Sequence, residues 1–98
     1  MYVVTVTFVT EAEYRDAFAE AMNTQARNSL ERETACLRFD VCRDRDDPDT
    51  TLLYEIYEDA AAFQDHLASN HFKEFDALVA GWVVSKRVNT WDLVYPGP

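Results

Sequence analysis

What most restricts the fold of this chain is a hydrophobic period that keeps switching between the two-residue repeat of a strand and the roughly 3.6-residue repeat of a helix. From Tyr2 to Val9, Val4, Val6 and Phe8 alternate with Thr5 and Thr7, which predicts a strand. Thr10 follows as a predicted N-cap, with Glu13 three residues on completing a capping box. The stripe Tyr14, Ala17, Phe18, Ala21 and Met22 predicts a helix running to about Glu31. Leu37, Phe39 and Val41 then alternate with Arg38, Asp40 and Cys42, a second strand with one apolar face. Pro48, inside the acidic run Arg45 to Asp49, breaks both neighbours and marks a solvated hairpin turn. The third strand, Thr51 to Glu58, carries bulk on both faces: Leu52, Tyr54 and Ile56 against Leu53, Glu55 and Tyr57. Asp59 caps a helix through Phe63 and Leu67, and Ser69 or Asn70 restarts it into the stripe Phe72, Phe75, Leu78, Val79 and Trp82. A last strand is predicted from about Val88 to Tyr95.

The order βαββαβ predicts an α+β, ferredoxin-like domain: a four-stranded antiparallel sheet with its helices on one face. One domain over residues 1–98 is expected, and a domain of this size is often marginal alone. The uncovered sheet face therefore predicts a homodimer, with Arg38, Glu55, Tyr57 and Thr5-type positions between the two sheets. On that phasing, Tyr54 and His66 face a pocket within the subunit. The net charge of −9 argues against nucleic acid and anionic membranes. The uncharged stretch Ala77 to Ser85 is too short to span a bilayer, and no charged-then-apolar leader precedes Tyr2. A cytoplasmic protein is the resulting expectation. Cys36 and Cys42 would lie about 20 Å apart along one strand, too far to bond each other, and read as buried free thiols. Their spacing does not fit zinc, and no metal site is expected.

The polar residues that interrupt apolar faces are the candidate site. On the first helix, a step of seven from Phe18 and Met22 lands on Gln25 and Ser29, whose burial costs roughly 1–3 kcal/mol each without a partner. His66 lies between Phe63 and Leu67 on an inward face, either as a satisfied core histidine or as a proton acceptor for a small-molecule substrate. His71, at the helix restart, reads as a solvent-exposed cap-region residue. Arg38 is expected to pair with Glu55 across strands. Asp40 would supply a second carboxylate if it reached a cavity.

The segments Glu33-x-x-Cys36-Leu37-Arg38-Phe39-Asp40-Val41 and Tyr54-Glu55-x-Tyr57-x-Asp59, followed by Phe63, His66 and His71-Phe72, resemble the antibiotic biosynthesis monooxygenase family. Its quinol-monooxygenase-like and autoinducer-2-degrading isomerase branches are the most similar. The resemblance implies a dimeric α/β barrel of ferredoxin-like subunits working without metal, flavin or nicotinamide. It also implies His66 as the catalytic base, and Gln25, Ser29, Phe39, Tyr54 and His71 around the substrate. Arg38, Asp40, Glu55 and Tyr57 are expected in supporting roles. The chain departs from the pattern with Thr34-Ala35 where relatives carry Pro-Gly, Gln25 where Asn is frequent and Tyr57 where many carry Trp. The expected activity is oxygenation of a small quinol or polyphenol. Isomerisation of a small phosphorylated hydroxy-dione and non-catalytic ligand binding are the alternatives.

Overall fold

A computed structural model describes residues 1–97. Its elements are β1 (Tyr2–Thr10), a 3-10 turn (Ala12–Tyr14), α1 (Arg15–Arg32), β2 (Cys36–Arg43), β3 (Thr50–Tyr57), α2 (Ala60–Ala68), α3 (Asn70–Val79) and β4 (Val83–Asp92). The four strands form one antiparallel sheet in the order β2-β3-β1-β4, the ferredoxin-like arrangement expected from the chain order. None of the described helices is long and apolar enough to cross a membrane.

The core lies between the sheet and the helices. Val4, Val6 and Phe8 of β1 point into it and meet Phe18 and Met22 of α1, Phe63 of α2 and Phe75 of α3. Phe8 and Phe18 lie 5.3 Å apart between ring centroids, in the tilted geometry aromatic pairs prefer.

Four expectations change. The faces of β3 are the reverse of the predicted ones: Leu53, Glu55 and Tyr57 are buried in the chain, and Tyr54 lies on the other side with Leu52 and Ile56. Pairing with β1 sets this phase, because Val4 opposes Glu55 and Val6 opposes Leu53, so β3 turns its odd positions the way β1 turns its apolar even ones. On β2 a bulge between Cys36 and Arg38 leaves Leu37 43% exposed, while Cys36 and Phe39 both face inward. Thr10 caps no helix. It ends β1, where its N–H and hydroxyl both donate to the carbonyl of Asp49, and α1 starts only after the 3-10 turn. Finally, β4 begins at Val83, five residues early, and Leu93 to Tyr95 lie beyond it. Trp82 sits in the preceding turn, its carbonyl accepting from Glu11 and its ring stacked 5.5 Å from Tyr14.

Two turns behave as predicted. The acidic hairpin closes on itself, with Asp44 Oδ1 accepting from the N–H groups of Asp46 and Asp47, and Arg15 reaching Asp49 at 2.7 Å. Asp59 caps α2 by accepting from Ala62 N–H at 2.8 Å.

Ser69 ends α2 and starts α3 with one hydroxyl, donating to the His66 carbonyl at 2.7 Å and accepting from Phe72 N–H at 3.2 Å. Losing both contacts in Ser69→Ala should cost about 1–2 kcal/mol, read as a shift in urea midpoint. An unchanged midpoint would show that the joint is held by packing alone.

Candidate active site

Two histidines five positions apart on an unbroken helix would point about 140° from each other, at 3.6 residues per turn. The break at Ser69, whose backbone is extended (φ −68°, ψ 149°), cancels that divergence. His66 near the end of α2 and His71 in the first turn of α3 thereby meet one carboxylate, that of Glu33 just past α1. Glu33 Oε2 lies 2.8 Å from His66 Nδ1 and 2.7 Å from His71 Nε2. The first contact is a hydrogen bond. The second is close enough for an ion pair, yet the nitrogen is not aligned for a hydrogen bond to any described residue, so the attraction there is electrostatic. On its other side His71 Nδ1 lies 3.3 Å from Gln25 Oε1.

Burial sets the protonation of this group. His66 is 3% exposed, with Tyr57, Phe63 and Phe72 rings within about 6 Å of its own. Desolvation, then Lys86, lower its pKa to about 4, so the ring is neutral at pH 7. A neutral ring beside a carboxylate donates Nδ1–H to it, leaving Nε2 as the basic nitrogen. Burial raises the pKa of Glu33, and the charge and proximity of His71 pull it back. Beside this cluster, Tyr57 donates to Glu55 Oε1 at 2.6 Å. Burial is the main cause that pushes the Glu55 carboxyl up to about 7 and the Cys36 thiol up to about 11; it also drives the Tyr57 phenol far above its usual range.

The two imidazoles serve different spaces. His66 lines an inner chamber between helices and sheet with Phe39, Glu55, Phe63, Phe72 and Lys86. Its free volume is about 40 Å³, enough for one water at about 30 Å³. His71 lines an outer cleft of about 430 Å³ between α1 and α3, with Glu20, Thr24, Glu74 and Trp82. Gln25 borders both, and its buried Nε2 has no partner among the described residues.

Of the predicted site residues, His66, His71, Gln25 and Phe39 come together. His71 is 7% exposed and buried, contrary to the exposed cap expected of it, because Ser69 does the capping. Ser29 is fully buried but spends its hydroxyl on the Gln25 carbonyl at 2.8 Å and borders neither space. Tyr54 lies on the opposite sheet face, under the Arg38 guanidinium at 5.7 Å. Arg38 pairs with Asp40 at 2.7 Å on that exposed face rather than with Glu55, and Asp40 reaches no cavity beside the histidines. Glu33 went unassigned. Besides its place in the family-like segment, its signal is an acid at a helix C-terminus, where the macrodipole disfavours negative charge and a specific partner is called for.

Glu33, His66 and His71 could hold a metal ion, since their donor atoms all lie within 4.8 Å of one another. Ligands set at right angles about 2.1 Å from an ion stand roughly 3.0 Å apart, so the 2.7–2.8 Å approaches would have to spread for an ion.

Comparison with known proteins agrees with this architecture. The sequence profile of the antibiotic biosynthesis monooxygenase family matches residues 1–78. A candidate antibiotic biosynthesis monooxygenase of Nitrosomonas europaea is 28% identical, covers 97% of this chain and 100% of its own, and superposes with a TM-score of 0.92. A second such candidate, from Bacteroides thetaiotaomicron, is 21% identical over 99% of this chain and 92% of its own, also at 0.92, a likeness of fold. Among curated proteins no sequence matches.

The buried Glu55 makes a pH prediction. Its folded pKa is raised from 4.5 to about 7, so the folded state holds a proton that the unfolded chain has lost, and this contribution to stability disappears as pH rises from 4.5 through 7. The lowered pKa of His66 acts oppositely, removing stability as pH falls from 6.5 towards 4. Comparing Glu55→Gln with the parent isolates the carboxyl. The variant should match the parent near pH 4.5 and exceed it at pH 8 by on the order of 3 kcal/mol, at about 1.36 kcal/mol per pKa unit. A difference in urea stability that does not grow with pH would refute it.

Proposed function

The chain belongs to the antibiotic biosynthesis monooxygenase family, and from that premise we propose that it oxygenates a small quinol or polyphenol without a cofactor, using His66 as the base. The observation carrying this reading is a neutral imidazole held by Glu33 with its basic nitrogen left over for an apolar chamber. His66 Nε2 takes the proton of a substrate hydroxyl. The resulting phenolate is electron-rich enough to reduce dioxygen, forming a C–O bond. The second oxygen atom leaves as water with two hydrogens from the substrate, so the substrate supplies all four electrons. Phe39, Phe63 and Phe72 would stack against the ring and keep bulk water out. The chamber as it stands is smaller than such a ring, which enters by pushing out half-buried Leu67 and the tip of Lys86.

A phosphorylated substrate fits less well. Lys86 is the one cation bordering the chamber, and its Nζ lies over the Phe8 and Phe72 rings, while the cleft carries Glu20 and Glu74.

Oxygen uptake with a panel of small quinols tests the assignment. His66→Gln should lower kcat/KM about 10²- to 10⁴-fold, as loss of a general base does, while the surface variant Glu13→Gln leaves it unchanged. No uptake by the parent, or equal uptake by His66→Gln, would end this reading.

The open sheet face supports a homodimer. Val3, Leu52, Tyr54, Ile56 and Trp91 gather there in the β1–β3–β4 register, with Leu52 39% and Trp91 54% exposed. The mass in solution should be twice 11.3 kDa, and Leu52→Asp should shift it towards the monomer. A monomeric parent at micromolar concentration would overturn this assignment.

A further inference from the structure

The geometry points to Glu33 as a proton-relay residue that couples the inner chamber to the outer cleft through His66 and His71. This deepens the proposed base chemistry and rests on it. His66 borders the chamber and not the cleft, whereas His71 borders the cleft and not the chamber. Glu33 borders neither, yet one of its oxygens lies within 2.8 Å of both rings. A carboxylate serving only to orient His66 would not need a second imidazole at 2.7 Å on the same oxygen.

Gln25 gives His71 a second polar neighbour on the side away from Glu33. Gln25 Oε1 faces His71 Nδ1 at 3.3 Å and accepts from it when that nitrogen carries hydrogen. Glu33 Oε2 and His71 Nε2 are 2.7 Å apart, near enough to exchange a proton once the ring turns into line with the carboxylate. Gln25 is suited to both ring states. Its buried Nε2 has no described partner, so rotating the amide would offer Nδ1 a donor where Oε1 now offers an acceptor.

The path balances. His66 Nε2 accepts the substrate proton, and its Nδ1–H passes to Glu33 Oε2. Glu33 passes a proton to His71 Nε2, and His71 Nδ1–H, freed as the Gln25 amide turns, is released to water in the cleft that both residues border. Both rings then hold the opposite tautomer. When the second oxygen of dioxygen leaves as water, a proton returns along the same groups and resets them, so no proton is gained or lost over a turnover.

Two variants and one spectrum test the relay. In Glu33→Gln, kcat should fall about 10- to 100-fold, the range for partners that act through another group, with KM within about twofold. In His71→Ala, which opens a space on the cleft, kcat should fall similarly and recover as imidazole is added. A Glu33→Gln effect confined to KM, or a His71→Ala loss that imidazole never restores, would overturn the relay. Ring-nitrogen NMR needs no turnover, and with two histidines in the chain the spectrum has two ring systems. His66 Nδ1 and His71 Nε2 should shift together in Glu33→Gln. If just one ring or neither responds, the relay fails whatever the substrate. If both respond but no quinol is consumed, the relay stands and the proposed activity falls.

Discussion

A carboxylate taken out of water must be matched by hydrogen-bond donors or by charge, because leaving it bare costs several kcal/mol. Glu33, its side chain 15% exposed, imposes that condition on three parts of the fold at once. The end of α1 must deliver it, the end of α2 must bring His66 and the start of α3 must bring His71. Backbone contacts hold the delivery point. Glu33 N–H donates to Ser29 O, Cys36 N–H donates to Glu33 O, and Glu58 N–H ties the next residues to the sheet through Ala35 O. The bulge after Cys36 follows from the same junction, as the chain leaves the carboxylate and enters the edge strand.

The order of elements was legible because most of them bury one face, so their apolar period survives in the sequence. β3 was legible as a strand and illegible in phase. Leu52, Tyr54 and Ile56 are as bulky as Leu53, Glu55 and Tyr57, and the face is decided by pairing with β1, which no local pattern records. The start of β4 was hidden for the opposite reason. It is an edge strand with mostly exposed residues, so Ser85, Lys86 and Arg87 carry no alternation at all.

The site was half legible. Gln25 and His66 stood out as polar breaks in apolar stripes, and both prove buried at the centre. Ser29 stood out equally, yet a serine can satisfy itself on the carbonyl four residues back, and it does. Glu33 was obscured by Glu31 and Arg32, among which it reads as one more solvated charge at a helix end. Its partners lie 33 and 38 positions along the chain, and nothing short of the folded arrangement joins them.

The joint at Ser69 has a consequence for how such a chain can vary over generations. The hairpin tip from Asp44 to Pro48 is exposed, with Asp44 holding Asp46 and Asp47, so residues can be gained or lost there without moving anything beneath the helices. One residue gained or lost between His66 and His71 would swing a ring about 100° around its helix and off the shared oxygen. Among descendants that keep this chemistry, the length of that interval should be inherited more strictly than the identity of the residues within it.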